Sequence, residues 1–237
     1  MGELVDFRER HIVVTGGTGA LGTAVVGALL EAGAFCHVPY IHEPEAQAFP
    51  HRANPRAQLI AAGSLSDEAV VARLFDAVPK LWASIHLVGG YAWSPVSETD
   101  KASLMQQIDM NFVTCFLCCG AAVRAMARGK AGGRIVNVAS RPALEWRSGA
   151  NSAAYTATKA AVAALTVALA EEIAKDGILV NAVAPSIMDT PANRKTMPKA
   201  DFATWPKVEE VAQTILFLAS PDNQVTRGAV TPVYGRT

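Results

Sequence analysis

The 237-residue chain lacks most features that mark metal-binding, secreted or nucleic-acid-binding proteins. It has four cysteines, with no second ligand pair and no nearby histidine at zinc spacing, so we expect small buried thiols and no metal site. Its 21 basic and 21 acidic residues cancel, unlike the basic excess of a nucleic-acid binder. The N-terminus has no apolar signal-peptide core, and no run approaches a membrane span. These absences predict a cytoplasmic protein that binds neither nucleic acid nor membranes.

Short β-branched runs alternate along the chain with longer Ala- and Leu-rich amphipathic stretches. This alternation predicts one α/β domain over residues 1–237, a doubly wound parallel sheet of about seven strands with helices on both faces. The length suits such a domain without division. The predicted strands lie near 11–15, 34–39, 57–61, 83–88, 133–138, 178–183 and 229–233, and the predicted helices near 20–32, 67–77, 98–128, 152–175 and 208–219.

A glycine-rich turn follows the first predicted strand, in the sequence IVVTGGTGALG over 12–22. Gly16, Gly19 and Gly22 stand directly between a β-branched strand and an apolar helix. Such glycines allow a tight turn, close approach of the backbone to a pyrophosphate, and close packing of helix on strand. The free N–H groups of the helix N-terminus then favour phosphate. The turn therefore predicts a Rossmann-type dinucleotide site.

A tyrosine and a lysine stand four residues apart in the Ala-rich segment SAAYTATKAAVAAL, at Tyr155 and Lys159, and hence on one helix face. A phenol is a poor acid or base at neutral pH, and a neighbouring ammonium, aided by nicotinamide charge, lowers its pKa toward the working range. The preceding strand ends at Ser140, whose hydroxyl could hydrogen-bond a substrate carbonyl. These residues favour hydride transfer between NAD(P) and a carbonyl, alcohol or C=N carbon, with Tyr155 as acid/base.

Together with the glycine turn, these residues resemble the short-chain dehydrogenase/reductase family along the whole chain. The resemblance implies that Asn111, in QIDMNFVTCF, holds a proton-relay water near Lys159. It also implies that the segment VNAVAPSIMDTP lies against the nicotinamide. The predicted catalytic set is thus Asn111, Ser140, Tyr155 and Lys159. Besides Tyr155 and Lys159, the predicted cofactor contacts are Gly16, Thr18, Gly19, Ala20, Leu21, Gly22, Tyr40, His42, Ser64, Leu65, Val88, Gly89, Gly90, Pro185, Ser186, Ile187 and Thr190.

The choice between NAD and NADP depends on the end of the second strand, where a carboxylate would bind the ribose hydroxyls and favour NAD. Tyr40 stands there instead. His42 and Arg52 could meet a 2′-phosphate, although both could equally be solvated loop residues. The sequence therefore favours NADP(H) over NAD(H). Other departures from the family pattern are His86-Leu87-Val88-Gly89 after the fourth strand and Ser64 after the third; we expect His86 to be structural.

A narrower resemblance concerns the segment 186–207, which we predict to be a substrate lid. Its sequence, the glycine turn and the strand end VGGYAW are similar to quinonoid dihydropteridine reductases, although those enzymes usually lack the catalytic serine that Ser140 supplies. Pterin reduction, a cofactor-sensing protein without turnover, and an NAD-dependent isomerase or epimerase are the alternatives. The broad apolar faces of 98–128 and 152–175 predict, with the resemblance, a homodimer or homotetramer acting on a small-molecule substrate.

Overall fold

Seven parallel strands form one sheet in the order β3-β2-β1-β4-β5-β6-β7 in the computed structural model, which describes residues 5–237. Because β1 is flanked by β2 and β4, the chain reverses its winding direction there and opens a crevice at the carboxyl ends of these strands. The strands are β1 (His11–Thr15), β2 (Phe35–Tyr40), β3 (Ala57–Ala61), β4 (Leu81–His86), β5 (Gly133–Val138), β6 (Ile178–Pro185) and β7 (Val230–Val233).

Helices cover both faces of the sheet. One apolar core lies beneath α1 and α9, and a second lies beneath α3, α5 and α7 on the opposite face. Short 3₁₀ turns complete the connections. The helices are α1 (Ala20–Glu31), α2 (Glu43–Ala48), α3 (Glu68–Asp76), α4 (Lys101–Ile108), α5 (Thr114–Gly129), α6 (Arg141–Leu144), α7 (Ala153–Glu172), α8 (Pro191–Thr196) and α9 (Val208–Ala219).

Local chemistry accounts for several of these boundaries. The Asp67 carboxylate accepts hydrogen bonds from the backbone N–H groups of Ala69 and Val70 and so begins α3. Asp100 begins α4 in the same way. Helix α5 ends where Lys130 takes a left-handed conformation. Strand β6 is buried along its whole length, as expected for an inner strand of a parallel sheet.

The predicted doubly wound sheet of seven parallel strands is confirmed. Four helical details differ from the prediction. The helix expected over 98–128 is two helices joined by a π turn at Asp109–Val113. Helices α2 and α6 lie in segments where no helix was predicted, and α8 lies inside the predicted lid. The three added helices are short, and hydrophobic periodicity detects such short helices poorly.

Two helical stretches are long and apolar enough to cross a membrane by length and composition, Lys101–Gly129 and Ala153–Glu172. By this criterion the prediction that no run approaches a membrane span is wrong. Both stretches pack against the sheet through residues of the second apolar core, such as Met126 and Val162. Sheet-covering helices of soluble proteins meet the same criterion, so this composition is weak support for a membrane role.

Candidate active site

Two glycines of the turn between β1 and α1, Gly16 and Gly22, leave no room for a side chain. Gly16 adopts a positive φ of 68°, and a Cβ there would lie 2.9 Å from the backbone nitrogen of Val88. A Cβ on Gly22 would lie 2.2 Å from the carbonyl oxygen of Gly16, well inside contact distance. Gly19 precedes the first turn of α1 and offers no side-chain cap. The first N–H groups of α1 are therefore available to an anion.

A cavity of about 770 Å³ opens beside this turn, at the carboxyl ends of β1, β2 and β4. Nine of the predicted cofactor contacts line it, namely Gly16, Thr18, Gly19, Tyr40, His42, Ser64, Leu65, Val88 and Gly89. Its volume falls within the range of small-molecule sites in proteins. The glycine surface without side chains and the free helix N-terminus fit a dinucleotide in this cavity. The residues predicted from the sequence to hold the adenosine and pyrophosphate are thus brought together.

The other cofactor predictions lie outside the cavity lining. Leu21 is buried in the core beneath α1, and Gly22 packs against Gly16. Conversely, sequence reasoning missed Glu45 on α2 and the α4 residues Met105 and Gln106, which do line the cavity. These residues reach the cavity because α2 and α4 lie over the sheet edge, a long-range arrangement that no local motif signals.

Tyr155 and Ser140 lie together at the end of β5. The Ser140 hydroxyl is buried and has no hydrogen-bond partner of standard geometry among residues 5–237. It still lies close enough to Tyr155 to favour the phenolate, but burial dominates and raises the pKa of Tyr155 above its ordinary value. The ring of Tyr91 packs edge-on against Tyr155, with the centroids 5.1 Å apart. A buried hydroxyl without a partner is costly unless a ligand satisfies it, so this pair fits a substrate oxygen.

Lys159 lies one turn farther along α7, with its ammonium buried. Its Nζ donates a 2.8 Å hydrogen bond to the carbonyl oxygen of Val138 at the end of β5. Burial lowers the pKa of Lys159 to about 8. In this structure the pKa of Tyr155 is raised rather than lowered, because burial outweighs the favourable contact with Ser140. The nicotinamide charge on which the expected lowering also relies would come from bound cofactor.

Asn111 is buried at the centre of the π turn between α4 and α5. Its Oδ1 accepts a hydrogen bond from the Gly90 N–H at 2.9 Å, and its Nδ2 donates to the Gly90 carbonyl at 3.1 Å. A Cβ on Gly89 would lie 2.7 Å from Asn111 Oδ1 and 3.0 Å from Lys159 Nζ. Both side chains therefore border Gly89, and the glycine pair after β4 leaves the space that they need. Turns of π type are frequent at functional sites.

The residues predicted to face the nicotinamide lie at the carboxyl end of β6. Pro185 is buried, and Ile187 is 44% exposed. The Ser186 hydroxyl donates to the carbonyl oxygen of Tyr234 at 2.8 Å. Thr190 caps α8 by accepting from the Asn193 N–H at 3.2 Å. These four residues stand beside the active-site edge of the sheet but outside the lining of the large cavity, so their contact with cofactor stays a prediction.

Below the site, a buried polar cluster joins β4, β5 and α5. His86 bonds Ser84 Oγ at 2.7 Å through Nε2 and Asn137 Oδ1 at 2.8 Å through Nδ1. Cys115 and Cys119 also point their thiols at Asn137 Oδ1, at 3.4 and 3.5 Å. The side chains of His86, Cys115 and Cys119 could in principle bind a metal, because their ligand atoms lie within 4.8 Å of one another. Each of them, however, already contacts a polar atom of the protein. These bonds support the structural role expected for His86.

Comparison with known proteins agrees with this geometry. The family model described as short chain dehydrogenase matches residues 10–201. The chain is 34% identical to galactitol 2-dehydrogenase of Rhizobium johnstonii, over 93% of this chain and 92% of that protein. It is also 34% identical to cis-4-hydroxycyclohexanecarboxylate dehydrogenase of Sinomonas cyclohexanicum, over 99% and 98%. The solved structure of ElxO with NADP bound superposes with a TM-score of 0.85 at 25% identity, covering 95% of this chain and 97% of that one.

The matched family model spans most of the chain, and the glycine turn, the cavity and the Ser140–Tyr155–Lys159 group occupy the carboxyl edge of a doubly wound sheet. A dinucleotide site next to a buried hydroxyl and a phenol is suited to redox chemistry at an oxygen-bearing carbon. The chain belongs to the short-chain dehydrogenase/reductase family and is an oxidoreductase that transfers hydride between a nicotinamide cofactor and an alcohol or carbonyl substrate.

Proposed function

We propose that Tyr155 is the acid/base of this reaction and that Ser140 holds the substrate oxygen. The observation that carries this proposal is the buried Ser140 hydroxyl, which lacks a partner of standard geometry among residues 5–237 and lies beside the Tyr155 phenol. A substrate carbonyl or alcohol oxygen would satisfy both groups at once. Water would satisfy Ser140 equally well before substrate arrives.

Bound nicotinamide would supply or accept the hydride, and the protein supplies positioning and proton transfer. In the reductive direction, Ser140 donates a hydrogen bond to the carbonyl oxygen and Tyr155 gives it a proton. Lys159 stabilises the resulting phenolate and holds the ribose hydroxyls. Asn111 fixes the Gly90 loop, and we keep the proposal that it also places the water that resupplies the proton. General acid/base help of this kind contributes about 10²–10⁴ in rate.

The cofactor fits with its pyrophosphate on the first turn of α1 and its adenosine in the large cavity. Thr18, Ala20 and Leu21 would contact it through the turn, and Ser64, Leu65 and Val88 would enclose the adenine. Gly90, Pro185, Ser186, Ile187 and Thr190 would border the nicotinamide half. The segment 186–207 would act as a lid over the substrate. It is braced by the ion pair of Arg194 with Asp189 and by the buried ring of Trp205.

NADP(H) is the proposed cofactor. The absence of a carboxylate at Tyr40 and the presence of His42 in the cavity support it. The related structure of ElxO contains bound NADP, which also supports this choice of cofactor. Glu45 opposes this preference, because its carboxylate lines the same cavity and lies 3.4 Å from the Thr18 hydroxyl. We therefore propose that the cofactor preference depends on two opposing side chains: His42, which favours the 2′-phosphate of NADP(H), and Glu45, which disfavours it.

The proposed substrate is a small secondary alcohol or its ketone. The names of the two relatives described above refer to a polyol and to a ring alcohol, and both contain a secondary hydroxyl. Quinonoid dihydropterin is the second candidate, which the similarity of the lid sequence favours. The intact Ser140 favours an oxygen-bearing carbon instead. We further propose a homodimer or homotetramer, because Leu104, Phe116 and Val167 are exposed apolar residues on α4, α5 and α7. A cytoplasmic location is also proposed, from the sequence alone.

A panel of substrates tests the proposed function, with turnover of each compound measured from the absorbance of the reduced cofactor. The panel contains ketones, aldehydes, secondary alcohols and a quinonoid dihydropterin, each with both nicotinamide cofactors. Turnover of alcohols or ketones is the expected result. Turnover of the pterin alone would replace this function with pterin reduction. Tight cofactor binding without turnover of any compound would contradict an enzymatic function and favour a sensor.

A further inference from the structure

Large apolar side chains are concentrated on the surface around Ser140 and Tyr155. Among residues 5–237, thirteen large apolar side chains are exposed, and six of them lie in the segments that follow β4, β5 and β6. These strands are neighbours in the sheet, so the three segments meet at the edge where the reacting groups lie. We call these six side chains the aromatic rim: Tyr91, Trp93, Val96, Leu144, Trp146 and Ile187. Apolar groups clustered on one surface mark a binding site.

Contacts fix parts of the rim to the active site. The Tyr91 ring lies edge-on against Tyr155 at 5.1 Å. Trp146 is 74% exposed, but its Nε1 donates a 3.1 Å hydrogen bond to the Ala143 carbonyl, which orients the indole. The backbone N–H of Ser94 donates to the carbonyl oxygen of Asn151 at 2.8 Å and joins the β4 loop to the segment before α7. The rim therefore begins at the reacting phenol and presents oriented rings beside it.

The guanidinium of Arg141, the residue that follows Ser140, already has partners within the protein. Arg141 follows Ser140 directly, and its Nε donates to the Glu145 carboxylate at 2.7 Å. The same guanidinium stacks over the Tyr234 ring at 4.9 Å. Arg141 is thus held by an acid and an aromatic face rather than left to bind a carboxylate on the substrate.

We infer, on the basis of the proposed function, that the substrate is a secondary alcohol or ketone borne on an apolar ring. An apolar ring would remove water from the exposed faces of Trp146, Trp93 and Tyr91, which is favourable. An acyclic polyol would bring several hydroxyls against these rings, which offer them few hydrogen-bond partners, and desolvating those hydroxyls is unfavourable. The aromatic rim therefore selects a ring substrate over a polyol while Ser140 and Tyr155 bind the single reacting oxygen.

Steady-state oxidation of matched alcohols tests this inference. The probes are cyclohexanol and 2-decalol as ring alcohols, sorbitol and galactitol as polyols, and 2-butanol as a small acyclic reference, with NAD⁺ and NADP⁺ each supplied. We expect kcat/KM for 2-decalol to exceed that of either polyol by at least about tenfold, a ratio that one buried hydrophobic contact can supply. Trp146→Ala and Trp93→Ala should raise KM for 2-decalol about tenfold with little change in kcat, because they remove binding that the ground state and the transition state share equally.

The controls separate this inference from the function on which it rests. Val225→Ala removes an even more exposed apolar side chain, in the loop before β7, and should change neither kcat nor KM. Both tryptophan variants should oxidise 2-butanol within about twofold of wild type. A preference for the polyols, or an equal loss on 2-decalol and 2-butanol, would overturn the ring inference and leave the oxidoreductase function intact. If the protein binds cofactor but oxidises none of the probes, both the ring inference and the proposed oxidoreductase function would be overturned.

Discussion

The Lys159 ammonium donates a 2.8 Å hydrogen bond to the carbonyl oxygen of Val138, two residues before Ser140. This bond joins the middle of α7 to the end of β5. It places a buried cation where the reacting phenol, the serine hydroxyl and Gly89 converge. Burial of the ammonium lowers the pKa of Lys159 to about 8, which means that the charged form destabilises the folded protein. The charge proposed for the reaction therefore has a cost in stability.

Lys159→Met should therefore raise stability while it removes activity. Burial favours the neutral amine, so the cost of the charged form applies fully below about pH 8 and fades as the pH rises toward 10.5. We expect the free energy of unfolding at pH 7 to rise by about 1–3 kcal/mol in the absence of cofactor. Turnover and cofactor affinity should both fall. Thermal unfolding at pH 7 and pH 10 measures the effect, and a destabilised variant at pH 7 would contradict it.

The glycine turn offers a matched pair of substitutions. A Cβ on Gly22 would lie 2.2 Å from the Gly16 carbonyl oxygen, whereas one on Gly19 would lie 3.4 Å from it. Gly22→Ala should thus lower the free energy of unfolding by about 2–4 kcal/mol through overpacking. Gly19→Ala should leave stability within about 0.5 kcal/mol, while its new methyl group weakens cofactor binding. Denaturant titration and cofactor titration test the pair, and equal destabilisation by the two would be the contrary result.

Cofactor preference should respond in opposite directions to two single substitutions. Glu45→Gln removes a negative charge from the adenosine cavity and should raise the ratio of kcat/KM for NADP(H) over NAD(H) by about threefold to tenfold. His42→Gln should lower the same ratio. Both residues are remote from Tyr155 in sequence and line only the large cavity, so kcat should change little. An unchanged ratio in both variants would show that neither side chain faces the ribose.

Stability should fall in mildly acidic solution because of His37. This residue is buried beside His11, with 2.9 Å between the ring nitrogens, and burial lowers the pKa of His37 to about 4 from an ordinary value of 6.5. Between those values the unfolded chain binds a proton that the folded protein does not. The free energy of unfolding should consequently decrease by about 1–3 kcal/mol as the pH falls from 6.5 to 4.

His37→Gln should flatten that pH dependence, and the exposed His42→Gln should leave it unchanged. Gln58, which hydrogen-bonds His37 and favours its protonated form, acts in the opposite direction. Glu9 and Lys80 act on His11 with opposite signs. Urea titrations at several pH values measure the slope. An identical slope in wild type and His37→Gln would exclude this residue as the cause.

Much of the fold and site could be predicted because the signals are local. The β-branched runs, the glycine turn and the Tyr155–Lys159 spacing each lie within one element or one turn, and all seven strands are confirmed. The π turn at Asn111 could not be predicted, since it depends on the bonds between Asn111 and Gly90, 21 residues apart. Glu45 in the cavity and Tyr91 against Tyr155 likewise depend on how distant segments pack. Sequence periodicity contains no information about such contacts.

The account depends most on the phenol of Tyr155, and single-turnover hydride transfer by Tyr155→Phe tests it most directly. With a substrate that wild type turns over, we expect the transfer rate to fall by at least about a hundredfold. Cofactor affinity should stay nearly unchanged, and Tyr91→Phe serves as a matched loss of a neighbouring hydroxyl, with an effect below about threefold. A Tyr155→Phe enzyme that transfers hydride at close to the wild-type rate would contradict the assignment of Tyr155 as the acid/base.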